Sequence, residues 1–132
     1  MLRTFLRAKI HRATVTDANV DYVGSITLDS KLLKAAGLLP YEQVDVLNVN
    51  NGNRLTTYCI EGKAGSGEVC LNGAAALLCS KGDLVLICAY AQLNPAEMTG
   101  FKARTIFVNA KNRLTKVKEQ PLLITGKPAA KR

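Results

Sequence analysis

Gln43-Val44-Asp45-Val46-Leu47-Asn48-Val49, Asn50-Asn51-Gly52-Asn53, Arg54-Leu55-Thr56-Thr57-Tyr58-Cys59-Ile60 is the stretch whose reading decides the architecture. Its first run alternates apolar and polar residues as a half-buried strand does, and its last run returns with β-branched and aromatic residues. Asn-Gly between two such runs signals a hairpin, because both residues accept the positive φ of a tight reversal. Upstream, Phe5 to Val15 predicts a strand with Lys9 and His11 on one face and Ile10 on the other. Tyr22 to Thr27 reads as a further strand interrupted by Gly24-Ser25, and Asp29-Ser30 caps a short helix over Lys31–Ala36 that Gly37 closes and Pro40 keeps from continuing.

Downstream, Gly62 to Gly67 is a flexible loop without the Gly-Lys-Ser/Thr ending of a phosphate-binding loop. Glu68 to Leu71 predicts a short strand, and Asn72 to Cys79 a short helix with Asn72 as its cap. Lys81-Gly82-Asp83 turns the chain into the most apolar strand, Leu84 to Ala91. Arg104 to Asn109 reads as another, Leu122-Leu123-Ile124 as a last short one, and 127–132 as a flexible basic tail. About six short strands with two small helices predict a mainly β fold, a small barrel in one domain over residues 1–132.

Composition narrows the function classes. The chain has 132 residues, of which 48% are hydrophobic, so a folded domain with a substantial core is expected. The apolar run Leu84 to Ala91 is far shorter than the ~20 residues of a bilayer helix, and Arg3, Arg7 and Lys9 interrupt the start as no signal peptide would. No membrane partner is expected. The net charge of +8 is concentrated at the chain ends: residues 1–12 carry four basic residues and no acid, while 111–132 carry seven against Glu119 alone. Such ends are expected to be solvated, and without Trp there is little aromatic surface for base stacking, so no nucleic-acid partner is expected. Cys59, Cys70, Cys79 and Cys88 sit among apolar neighbours with no Cys-x-x-Cys pair, which predicts reduced thiols, no metal and a cytoplasmic location.

Gly24-Ser25 inside an apparent strand asks for a reason, since glycine weakens a strand interior. A Ser hydroxyl held against the preceding carbonyl can attack it and turn the amide into an ester. Elimination then leaves a dehydroalanine at position 25, which hydrolyses to a pyruvoyl group with loss of ammonia. The chain would carry its own carbonyl cofactor.

Five motifs stand in one order: Lys9-Ile10-His11-Arg12; Tyr22-Val23-Gly24-Ser25; Asn51-Gly52-Asn53-Arg54 with Thr57-Tyr58; Asn72-Gly73-Ala74-Ala75-Ala76; and Gly82-Asp83 before the apolar strand. In that order and spacing, over about residues 1–110, the chain resembles the pyruvoyl-dependent aspartate alpha-decarboxylases. The resemblance implies a double-psi β-barrel that assembles as a homotetramer with active sites between neighbouring subunits. It implies a proenzyme that cuts itself between Gly24 and Ser25 into a β chain, 1–24, and an α chain, 25–132, headed by the pyruvoyl group. The implied reaction is L-aspartate to β-alanine and CO2, for pantothenate and coenzyme A, with no PLP and no metal. A helper protein for maturation is a partner the sequence leaves open.

The same resemblance gives residues their roles. Ser25 becomes the pyruvoyl group that forms a Schiff base with the substrate amine, and Tyr58 donates the proton that replaces the lost carboxylate. Arg54 and Lys9 hold carboxylates. Gly73, Ala74 and Ala75 offer backbone amides, Thr57 polarises the Gly24 carbonyl during cleavage and lies beside substrate, and Tyr22, Asn72 and His11 line the same site, His11 without an assigned catalytic part. Val23 departs from the Glu that many members carry there. The competing class is a noncatalytic barrel that binds DNA or a partner through its basic ends, which an uncut, DNA-shifting chain would support. A narrower alternative keeps the chemistry and changes the amino acid, although two cations argue for an acidic substrate.

Overall fold

A computed structural model describes residues 1–122. The N-terminal alternation forms β1 (Arg3–Thr14), in which Ala8, Ile10 and Ala13 are buried while Lys9 and His11 lie on the half-exposed face. Then follow β2 (Asp17–Asn19), β3 (Ser25–Asp29), α1 (Ser30–Ala36), β4 (Gln43–Asn48), β5 (Arg54–Gly62) and β6 (Val69–Asn72). A 3₁₀ helix (Gly73–Leu77), β7 (Leu84–Leu93), α2 (Pro95–Met98), β8 (Lys102–Val108) and β9 (Leu114–Pro121) complete the described chain. The hairpin forms as expected, with β4 and β5 antiparallel and Val46 opposite Leu55. Asp29 caps α1 by accepting from the Lys31 amide, and Gly37 closes it in the left-handed conformation, φ 76°, that costs glycine least.

The strand order is β2-β6-β3-β5-β4-β7-β1-β8-β9. β1 pairs antiparallel with β7, and β2, which continues the same run of chain past Val15 and Thr16, pairs parallel with β6. Between them the Thr16 amide donates to the Val69 carbonyl at 2.8 Å. The β1–β2 run thus meets β7 on one side and β6 on the other, closing β6, β3, β5, β4 and β7 into a barrel, with β8 and β9 added outside the ring. Closure removes the exposed edges that a small sheet would otherwise present. Inward residues of every ring strand except β2 meet in one core, among them Ile10, Ile26, Val46, Cys59, Leu71 and Ile87, all at most 1% exposed. The mainly β, single-domain barrel read from the sequence is what forms.

Several expectations need correction. Residues 20–24 are turn and bend rather than strand, so the pairing of β3 starts at Ser25. The helix expected over Asn72–Cys79 is the shorter 3₁₀ helix, and the Asn72 side chain does not cap it. The described residues hold nine strands rather than about six. The basic stretch after residue 110 is not all solvated tail, because Leu114–Pro121 pairs antiparallel with β8. The expected strand at Leu122-Leu123-Ile124 falls mostly outside the described residues, and the 127–132 tail wholly so.

The four cysteines are buried and unpaired, and burial raises each thiol above its ordinary pKa. Among the described residues no cluster of three or more His, Cys, Asp or Glu could hold a metal, and no helix is long and apolar enough to cross a membrane.

Candidate active site

The late start of β3 makes the site. β3 pairs with β5 only from Ile26 opposite Cys59 to Asp29 opposite Gly62, so the N-terminal half of β5 has no neighbour on that side. A cavity of about 520 Å³ opens there, lined by Gly24, Ser25, Leu55, Thr56, Thr57, Tyr58, Asn72, Ala74, Ala75 and Leu78. Its size suits a small ligand with a few convergent polar groups.

Ser25 is 1% exposed and directly opposite Asn72 in the antiparallel β3–β6 pair. Neighbours across a ladder project to the same face, and the Asn72 Nδ2 donates to Ser25 Oγ at 3.0 Å. The same Nδ2 donates to Thr27 Oγ1 at 2.9 Å. The serine oxygen therefore receives a hydrogen bond, which leaves its own proton to be given elsewhere.

Gly73 explains how the backbone reaches this close. Its φ is 64°, and a Cβ built on it would lie 2.7 Å from Gly24 Cα and 3.0 Å from the Tyr22 carbonyl oxygen. Only glycine lets the two backbone segments touch. Gly24 itself is exposed, so the peptide ahead of the buried serine lies where barrel wall and solvent meet.

Tyr58 is half-buried at the cavity, its ring stacked on Tyr41 with centroids 5.9 Å apart. Thr57 lines the cavity beside it. The structure thus brings Gly24, Ser25, Thr57, Tyr58, Asn72, Ala74 and Ala75 together, with Gly73 pressed behind them.

The remaining candidates lie elsewhere. Lys9 and His11 line a separate groove of about 490 Å³ between β1 and the added strands, beside Thr105, Phe107 and Lys118. Arg54 is exposed at the start of β5. The pairing register sets Thr56, Asp45, Cys88, Lys9, Thr105 and Lys118 in one row across β5, β4, β7, β1, β8 and β9 on the outward face. Thr56 donates to Asp45 at 2.6 Å within that row. Arg54 shares this face, two residues from Thr56, where the cavity lining ends short of it. Burial first, then the charges of Lys9 and Arg12, lower the pKa of His11, favouring its neutral form near neutrality. Tyr22 is 63% exposed and Val23 85%, both on the turn before Gly24. Within one protomer the cavity with the serine therefore lacks the cations that the sequence assigns to carboxylate binding. That separation is a tertiary fact with no local sequence signal. Thr27 and Cys70, which touch Asn72, were missed because nothing in their spacing marks them.

Comparison with known proteins bears on this arrangement. A family model described as Aspartate decarboxylase matches residues 1–115. The chain is 57% identical over 113 residues to a protein of Dehalococcoides mccartyi (strain CBDB1) named Aspartate 1-decarboxylase, covering 86% of this chain and 91% of that one. A protein of the same name from Carboxydothermus hydrogenoformans is 52% identical over 122 residues, 92% of this chain and 96% of the relative. Another from Neisseria meningitidis serogroup C is 54% identical over 114 residues, 86% and 90% of the two chains.

Proposed function

The chain belongs to the aspartate decarboxylase family, and from that premise we propose that it converts L-aspartate to β-alanine and CO2, for pantothenate and coenzyme A synthesis, with a pyruvoyl group made from its own Ser25. The observation that carries this reading is the Ser25 hydroxyl, buried at the cavity wall, held by Asn72, and placed next to a glycine whose peptide Gly73 allows to be approached closely.

The residues present fit such a group. Self-cleavage between Gly24 and Ser25 would leave position 25 as a new chain start facing about 520 Å³ of space, enough for a four-carbon diacid. Once formed, a pyruvoyl carbonyl supplies an electron sink for the pair released when a carboxylate leaves, the part PLP plays in other enzymes.

The chain's own residues do the rest. Tyr58, at the cavity wall, gives a proton to the substrate Cα after CO2 departs. Ala74 and Ala75 leave room at the wall for the bound amino acid, and Thr57 is within the same cavity to polarise the Gly24 carbonyl during cleavage. Arg54 and Lys9 hold the second carboxylate, and because neither lines the serine cavity of its own chain they act from a neighbouring copy. The working unit is accordingly an oligomer, a homotetramer by family resemblance.

The test is intact-mass measurement of purified protein. Two fragments dividing at Gly24-Ser25 are expected, the larger short of one ammonia and refractory to Edman degradation, together with β-alanine formed from aspartate. Ser25→Ala should abolish both cleavage and product. A mature, active chain with the Gly24-Ser25 peptide intact would end the proposal.

A further inference from the structure

Behind Ser25 lies a square of polar side chains, two of which, Thr27 and Cys70, no step above uses. β3 and β6 are antiparallel with Ser25 opposite Asn72 and Thr27 opposite Cys70, so these four side chains share one face, turned away from core residues Ile26, Leu28, Val69 and Leu71. Asn72 sits at its centre, 2% exposed. It gives Nδ2 hydrogens to Ser25 Oγ at 3.0 Å and Thr27 Oγ1 at 2.9 Å, and its Oδ1 accepts from Cys70 Sγ at 3.3 Å. Cys70 is 7% exposed, and among the described residues no buried side-chain nitrogen or oxygen lacks a partner.

We propose that Thr27 and Cys70 are positioning residues that fix which end of the Asn72 amide faces the serine, and thereby set the rate of Gly24-Ser25 self-cleavage. This rests on the self-cleavage reading above. Thr27 Oγ1 takes the second Nδ2 hydrogen, so the NH2 edge of the amide has two oxygen acceptors on its side. The thiol holds the other edge. Burial and then the nearby charges of Asp17 and Glu68 raise its pKa and so favour the S–H form, and that S–H lies 3.3 Å from Asn72 Oδ1 against 3.9 Å from the Leu71 carbonyl. With Oδ1 committed to the thiol, NH2 must face Ser25 and Thr27. A flipped amide would set NH2 against S–H and bind the serine proton instead.

The orientation matters in both covalent steps. In the first, Ser25 Oγ bonds to the Gly24 carbonyl carbon, its proton passes to the Ser25 nitrogen, and the C–N bond breaks, giving an ester and a free amine. An N–H aimed at Oγ leaves the hydroxyl proton free to depart and holds a lone pair toward the carbonyl. In the second, loss of the Ser25 Cα proton forms the Cα=Cβ bond while Cβ–Oγ breaks, and Oγ leaves within the Gly24 carboxylate. The same N–H then meets growing negative charge on the leaving oxygen. Water later hydrolyses the dehydroalanine and releases ammonia. An amide turned the other way would present oxygen to oxygen at that moment.

The experiment follows cleavage of freshly translated full-length chain by intact mass, with a thermal melt of each variant. Cys70→Ala and Thr27→Val should each slow cleavage roughly tenfold, the scale of one hydrogen bond acting on a reacting atom. The conservative variants Cys70→Ser and Thr27→Ser keep a donor and an acceptor, and should stay within about twofold of the natural rate. Rescue by serine at both positions supports the assignment. Equal slowing by serine and by the apolar residue would overturn it, since that marks packing rather than hydrogen bonding. Natural-rate cleavage in Cys70→Ala and Thr27→Val would also overturn it while leaving self-cleavage standing. A natural chain that never cuts would instead remove the functional reading beneath it.

Discussion

The cavity end of the barrel and its outward face differ in how completely a single chain builds them. At the cavity, Ser25, Asn72 and Gly24 are held by ladder register, by hydrogen bonds of 2.9–3.3 Å and by a glycine contact that no other residue allows. On the outward face, Lys9 and Arg54 make no ion pair among the described residues, where Arg7–Glu42 and Arg104–Glu119 do. The first region is preorganised for chemistry on its own backbone. The second is a set of cations awaiting something to bind. On the function proposed above, making the reactive group is an affair of one protomer, whereas holding a diacid takes two.

The most severe way to break the cavity side is Gly73→Ala. A methyl there would fall 2.7 Å from Gly24 Cα at a φ of 64°, so the Gly24 backbone must move or the turn must unwind. Displacing a reacting group by ~1 Å costs on the order of 10²-fold in rate, and that much loss of self-cleavage is expected by intact mass. Normal cleavage in this variant would mean the Gly73–Gly24 contact is incidental.

A subtler pair of variants sharpens the division between regions. Tyr58→Phe should cut normally yet turn over ~10²-fold more slowly, and Arg54→Ala should cut normally and raise KM for aspartate. Co-refolding equal amounts of the two should recover activity, because random mixing sets both intact halves together at roughly a quarter of interfaces. A mixture no more active than its components would place the cations and the cavity of one site on the same protomer.

What was legible in the sequence follows the same divide. Asn51-Gly52 betrayed the hairpin because turn chemistry is local, and Asp29 with Gly37 bounded α1 for the same reason. β2 was missed since Asp17-Ala18-Asn19 has no strand propensity; it is extended only because β6 lies beside it. β9 was mistaken for solvated chain because Lys116, Lys118 and Glu119 look like tail. Charged residues are also what an edge strand carries to discourage further pairing, and only the partner β8 distinguishes the two cases. Asn72 was expected to cap a helix, a local habit of asparagine, and instead spends its side chain across the ladder. Ser25, Thr57 and Tyr58 were found through motif, and their convergence became visible only once β3 was seen to stop short of the first half of β5.

The smallest effect concerns the scaffold under the site rather than either half of it. Asp29 ends β3, four residues from Ser25, and its carboxylate takes the amides of Lys31 at 2.9 Å, Gly65 at 3.0 Å and Gly67 at 2.9 Å. Burial opposes its ionisation, but the amides of Gly67, Lys31 and Gly65 and the charge of Arg113 outweigh burial and hold its pKa below the ordinary carboxylate value. A depressed folded-state pKa means that this stabilisation is present in full above the unfolded value near ~4 and is lost as pH falls through the folded one. Asp29→Asn can still accept from Lys31 and Gly65 but turns an NH2 toward the Gly67 amide, leaving a buried donor unmet. The expected cost is about 1–3 kcal/mol at pH 7. At equal protein concentration that should lower Tm by roughly 3–10 °C. Below pH ~4 the natural chain should lose stability faster than the variant, so the two melting curves converge as acid rises. A variant whose Tm runs parallel to the natural chain down to pH 2 would show that the carboxylate is not what ties the Gly65–Gly67 loop to the end of β3.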